Sequence, residues 1–264
     1  SARFGCVDGR AVLITDSLTS YVDIEKFSSG KLPSEPMACL ERWSEVCKVA
    51  ANLSPTDELN AIALDANKLE CPAPRPRQIF AIGINYKAHA AEMNNPLPKE
   101  PLVFTKFQSS LNSPNGSLTL VGEKCDFEAE LVAVIAKGGR NILADEAWGH
   151  VAGLCVGQDV SDRALQYANT PPQFSLGKSR AGFTPIGPWI TDAASLTTRA
   201  NLEMTCRVSG EIMQHTQTDD MIFEIPEIIS YLSTICELFS GDVIYTGTPS
   251  GVGAGRTPQR FLRS

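Results

Sequence analysis

Residues 125–136, CDFEAELVAVIA, constrain this chain more than any other stretch. Positions 131–136 carry no charge, and Val132, Val134 and Ile135 are β-branched. That composition favours a buried strand. Glu128 and Glu130 sit just ahead of the apolar run. On a strand, residues two apart share a face. On a helix they would stand about 200° apart. The pair therefore aims two carboxylates at one place beside a core strand. Buried like charges are costly unless neutralised, and a hard divalent cation with oxygen ligands is the simplest neutraliser. Residues 151–159, VAGLCVGQD, read as a second apolar strand ending in Asp159. The three carboxylates would form a metal site with open positions. The competing reading puts Glu128 and Glu130 on the solvated face of an edge strand, the commoner fate of charged residues.

The chain's 264 residues allow one large domain, or a small one beside a medium one. A net charge of −7 argues against a nucleic-acid-binding face. No apolar run approaches the ~20 residues that span a bilayer. The start lacks the charged-then-apolar pattern of a leader, so a cytoplasmic protein without membrane contact is expected. The eight cysteines form no Cys-x-x-Cys and read as reduced, mostly buried thiols. Three histidines argue against a His-rich zinc site.

Residues 1–72 read as a small N-terminal α+β domain without clustered polar chemistry. Asp8-Gly9 signals a hairpin, and Leu40, Trp43, Val46 and Val49 have helical spacing over 40–51. Residues 71–77 are a proline-rich linker, and residues 73–264 form the catalytic domain. A strand over 78–83 leads to Asn85, a candidate helix cap. His89 and Glu92 are then helical neighbours. A carboxylate beside an imidazole supports it as a general base; an exposed ion pair is the plainer alternative. Residues 94–101, NNPLPKEP, suit a lid. Lys106 lies among apolar neighbours on a strand over 102–107, where a lysine snorkels or binds an anion. Beyond Asp159, Ser161 is expected to cap a helix carrying Arg163 and Gln166 on one face, suited to carboxylate and carbonyl oxygens. Residues 173–188 read as a loop holding Lys178, ahead of a strand over 189–191. His215 is placed on an outer strand without a catalytic part. Pro226 opens a helix with Ile225, Ile228, Ile229, Leu232 and Ile235 on its core face. The strand over 242–246 runs into a loop with four glycines between 247 and 255, where backbone can approach a ligand closely. It lacks the lysine of a phosphate-binding loop.

Six motifs now stand in order over residues 76–262: Gly83-x-Asn85-Tyr86-x-x-His89-x-x-Glu92-Met93, Phe104-x-Lys106, Asp126-Phe127-Glu128-x-Glu130, Asp159-x-Ser161-x-Arg163-x-x-Gln166, Gly177-Lys178-Ser179 and Thr246-Gly247-Thr248-Pro249-x-Gly251-Val252-Gly253. Together they resemble the fumarylacetoacetate hydrolase family. The resemblance implies an α+β, mainly β fold: a mixed β-sheet roll of the fumarylacetoacetate hydrolase C-terminal type. It implies Mg²⁺ or Mn²⁺, with Ca²⁺ as a substitute, on Glu128, Glu130 and Asp159. His89 and Glu92 match the water-activating pair, and Lys106 and Lys178 would stabilise developing negative charge. Tyr86, Arg163, Gln166 and Thr248 would line the substrate site of a homodimer. The expected reaction is acylpyruvate hydrolase-like cleavage of a C–C bond in a β-diketo acid. A tautomerase or isomerase, or an oxaloacetate decarboxylase, is the alternative on the same fold. A binding protein that keeps the scaffold is the alternative of another class. Two departures stand out. Ala181 replaces an aspartate that many relatives carry. Relatives also continue past the equivalent of residues 258–262 with strands that close the roll, so a truncated or differently closed C-terminal end is expected.

Overall fold

In the computed structural model, which describes residues 2–263, the apolar run forms the centre of a 12-stranded mixed sheet. Ala129–Ile135 is buried at every position. It pairs antiparallel with Val151–Gln158 on one side and Val243–Tyr245 on the other. Val243–Tyr245 lies parallel to Ile79–Gly83, which pairs antiparallel with Leu102–Thr105. The strand period sorts the core. Leu131, Ala133 and Ile135 pack with the helix Ile225–Ile235 and the hairpin Glu203–Val208/Glu211–Gln217. Val132 and Val134 face the opposite core, and Glu128 and Glu130 share their parity. The result is the expected α+β, mainly β roll.

The described strands of residues 1–72 all join this same sheet. The hairpin Arg3–Val7/Arg10–Ile14 turns through Asp8 (φ +49°) and Gly9 (φ +72°). Arg3–Val7 then pairs with Thr184–Asp192, so Phe4 and Leu13 share a core with Val132, Val134 and Ile186. The boundary at residue 72 is therefore not a break in the sheet.

Several local expectations change. The helix over 40–51 breaks at Arg42, whose ψ of 34° is not helical, into Pro36–Leu40 and Trp43–Ala51. The cap after Asp159 is Asp162, which accepts the Leu165 N–H at 3.1 Å, and not Ser161. Asn85 caps nothing, because its amide is spent on distant backbone. Residues 173–188 contain the helix Phe174–Gly177, and the following strand begins at Thr184. Pro188 is tolerated within it because the pairing shifts register there. All eight cysteines are free thiols. Among the described residues no helix is long and apolar enough to cross a membrane.

Candidate active site

Glu128, Glu130 and Asp159 each bring one oxygen to within 4.8 Å of the others. Their strands explain this. Asp159 directly follows Val151–Gln158, and its N–H donates to the Glu128 carbonyl at 2.9 Å. All three side chains are buried, at 6%, 1% and 0% exposure. Lys178 Nζ bridges Glu128 Oε2 at 2.7 Å and Asp159 Oδ2 at 2.6 Å. Lys106 Nζ donates to the other Asp159 oxygen and to the Lys178 and Phe183 carbonyls. Arg163 Nη2 holds Glu128 Oε1 at 2.6 Å, and its Nε holds Asp126 Oδ2 at 2.9 Å.

Four buried carboxylates (Asp126, Glu128, Glu130, Asp159) thus meet three cations (Lys106, Arg163, Lys178), and among the described residues Glu130 is the one without an ion-pair partner. Among the described residues its donor is the Gly247 N–H, at 2.6 Å. Burial, then the Asp159 and Glu128 charges, raise Glu130 well above the ordinary carboxylate range. Glu128 is opposite in direction: burial pushes it up, but Lys178 and Arg163 outweigh that and hold it at about 2. An uncompensated buried carboxylate, with two others in reach, fits a hard divalent ion that takes oxygen ligands. Glu128, Glu130 and Asp159 are the residues that would hold it.

A small cavity of about 60 Å³ opens beside this cluster, lined among others by Ile84, His89, Glu128, Gln166, Lys178 and Thr248. His89 stands on the helix Lys87–Glu92 with Nδ1 2.9 Å from Glu92 Oε2. A proton on Nδ1 is donated to that carboxylate, which leaves Nε2 as the acceptor. The sequence-picked residues separate here by position. His89, Glu128, Gln166, Lys178, Thr248 and Arg163 reach the cavity wall. Arg163 is committed to carboxylates and to Gln166 Oε1 at 2.9 Å, so Gln166 has N–H donors left to offer. Lys106 lies beneath Asp159 and off the wall. Tyr86 is fully buried in the core on the Ile225–Ile235 side, and its hydroxyl has no partner among the described residues.

Two residues without a role in the sequence reading organise the site. Asp126 accepts from the N–H groups of Phe127, Gly253 (2.7 Å) and Ala254 (3.0 Å) besides Arg163. Its place in the Asp-Phe-Glu motif was the available signal. Gln214 reaches in from the outer hairpin, accepts the Ala129 N–H at 2.9 Å and donates to Thr248 Oγ1 at 2.8 Å. Alternation along its strand gives no hint of that. The glycine loop serves protein carboxylates: Gly247 binds Glu130, Gly251 binds Glu92 Oε1 at 2.8 Å, and Gly253 binds Asp126. Gly251 has φ +103°, and a Cβ there would lie 2.2 Å from the Met213 carbonyl oxygen.

Residues 78–264 match the fumarylacetoacetate (FAA) hydrolase C-terminal family. The chain is 37% identical over 244 residues to the mitochondrial oxaloacetate tautomerase FAHD2A of Bos taurus, covering 92% of this chain and 77% of that protein. Likeness to a mitochondrial protein lends no support to the cytoplasmic expectation. A crystal structure assigned as an HpcE protein from Mycobacterium smegmatis superposes with a TM-score of 0.90 at 43% identity, over 99% of this chain and 91% of that one. Fumarylpyruvate hydrolase from Pseudomonas aeruginosa, in complex with Mn²⁺ and pyruvate, matches at 33% identity and a TM-score of 0.61, over 67% of this chain and 79% of that one.

Proposed function

The chain belongs to the fumarylacetoacetate hydrolase family, and from that premise we propose that it is a metal-dependent enzyme acting on a 2-oxo acid through its enol, with keto–enol tautomerisation of oxaloacetate as its reaction. The observation that carries this is His89, backed by Glu92 through Nδ1, on the wall of the same cavity as Glu128 and Lys178. The likeness to oxaloacetate tautomerase supports oxaloacetate as the substrate, and a small cavity suits a short acid.

A divalent ion on Glu128, Glu130 and Asp159, Mg²⁺ or Mn²⁺, would supply Lewis-acid polarisation of the 2-oxo oxygen. The remaining work belongs to the chain. Gln166 N–H groups orient the acid's oxygens. Lys178, kept charged by Asp159 and Glu128 despite its burial, offsets negative charge that develops beside it. His89 Nε2 takes the C3 proton while Glu92 steadies the imidazolium through Nδ1. The C3–H electron pair moves to C2–C3 and the carbonyl pair to oxygen, where protonation gives the enol. The reverse sequence restores the ketone. The homodimer implied by the family resemblance is part of this proposal.

The second reading is hydrolysis of an acylpyruvate, with His89 activating water. It is favoured by the same pair and by the likeness to fumarylpyruvate hydrolase. His89→Ala separates the two. Tautomerisation, acylpyruvate cleavage and deuterium exchange at C3 are followed side by side in Mg²⁺. We expect tautomerisation and exchange to fall together by about 10²–10⁴-fold. Cleavage lost with exchange retained would favour hydrolysis. Unchanged rates throughout would remove the pair from the reaction.

A further inference from the structure

The two parallel strands Ile79–Gly83 and Val243–Tyr245 leave the sheet side by side, and each exit contains a residue in the left-handed region. At one exit this is Gly247, φ +100°, where a Cβ would stand 2.7 Å from Asn85 Cβ. At the other it is Ile84, φ +54°. A β-branched residue is disfavoured there, while glycine or asparagine would make the same turn with less strain. Among the described left-handed residues that are not glycine, Ile84 is the one that is β-branched.

Neither the turn nor the core accounts for it. The conformation is enforced from the next residue. Asn85 Nδ2 donates to the Thr246 and Phe223 carbonyls at 2.7 and 3.0 Å, and Asn85 Oδ1 accepts the Phe223 N–H at 2.8 Å. Ile84 is only half-buried and belongs to none of the apolar core clusters. What it does line is the cavity, together with His89, Glu128, Lys178 and Phe104. Strain held by surrounding structure at a ligand wall is the signature of a functional constraint.

We propose that Ile84 is the specificity-determining residue of this pocket: its branched side chain forms a wall that limits branching of the chain at C3 of a 2-oxo acid. This rests on the reading of the pocket as a 2-oxo acid site. Gln166 and the carboxylate cluster address the common oxygens, and Ile84 addresses what differs between acids.

The test uses the full chain loaded with Mg²⁺ and measures binding by calorimetry, apart from turnover, for pyruvate, 2-oxobutyrate, 2-oxovalerate and 2-oxoisovalerate. The wild type should accept the straight chains, which are no longer than oxaloacetate, and lose affinity by about tenfold or more for the branched 2-oxoisovalerate, the scale on which an apolar wall discriminates a methylene. Ile84→Gly and Ile84→Asn should flatten that difference and melt no lower than the wild type. Two results would overturn the proposal: variants that keep the wild-type preference for the straight chains, or variants that melt lower, which would make Ile84 a packing residue. If the wild type binds none of the four acids, the 2-oxo acid reading fails first and takes this proposal with it.

Discussion

The carboxylate cluster and the His89–Glu92 pair each send one residue, Glu128 and His89, to the same cavity but are held in different ways. The cluster grows from two adjacent central strands, lies fully buried, and is pinned by three cations. The pair stands on a six-residue helix whose N-cap residue Tyr86 makes no side-chain cap, its first turn held instead by Asp220, which accepts the Ala88 N–H at 3.1 Å. A helix so short is not stable by itself. Its Glu92–Gly251 hydrogen bond reaches the same glycine loop that serves Glu130. The carboxylate cluster is thus set by folding, whereas the His89–Glu92 pair depends on a few contacts that can be broken separately.

The largest effect should come from Glu130, the carboxylate without an ion-pair partner among the described residues. Glu130→Gln removes a charged ligand, so Mg²⁺-dependent turnover and the rise in melting temperature on adding Mg²⁺ should both disappear. The metal-free variant should melt no lower than the wild type, because the neutral amide avoids the cost of ionising a carboxyl buried beside Asp159 and Glu128. A pH dependence goes with this. The folded-state pKa of Glu130 is raised by burial and by Asp159 and Glu128. Its favourable contribution as a neutral acid is therefore complete below the ordinary carboxylate pKa and is lost as pH rises through the raised one. The ion takes the place of that proton. Thermal stabilisation by Mg²⁺ should grow with rising pH in the wild type and stay flat in Glu130→Gln. Full Mg²⁺-dependent turnover in the variant would break the assignment.

Lys106→Met comes next and tests whether the cluster is set by folding. It leaves Asp159 Oδ1 and the Lys178 carbonyl without the buried donor they share, although Lys178 still holds Asp159 Oδ2. Chemical denaturation should show a loss of about 3–5 kcal/mol. A loss under about 1 kcal/mol, within the range of an exposed pair, would mean that the cations do not organise the cluster.

The pair is sharpened by Glu92→Gln, which removes the charge that steadies the imidazolium and whose single amide oxygen can accept from only one of His89 Nδ1 and the Gly251 N–H. Turnover should fall, by less than in His89→Ala, with Mg²⁺ affinity unchanged. A drop in Mg²⁺ affinity would show that the cluster and the pair are one unit.

The smallest effect belongs to the segment read as scaffold. Arg42→Ala removes an exposed pair with Glu45 and should change stability by no more than about 0.5 kcal/mol, with turnover unchanged. Lost turnover would bring residues 1–72 into the chemistry.

The central strand, the shared face of Glu128 and Glu130, the strand-end place of Asp159 and the helical spacing of His89 and Glu92 are all legible in the chain, since each is a matter of local period. The sequence motifs also point to the family. Other features depend on partners far away along the chain. Asn85 looks like a helix cap, yet it spends its amide on Thr246, 161 residues distant. Lys106 looks like a pocket residue, yet Asp159, 53 residues on, draws it beneath the site. Gln214 looks like any residue of an outer hairpin until Ala129 and Thr248 claim it. Local spacing sets which side chains share a face, because backbone geometry repeats every few residues. Which buried donor meets which buried acceptor is set only when the sheet closes and strands distant in sequence desolvate one another's polar groups.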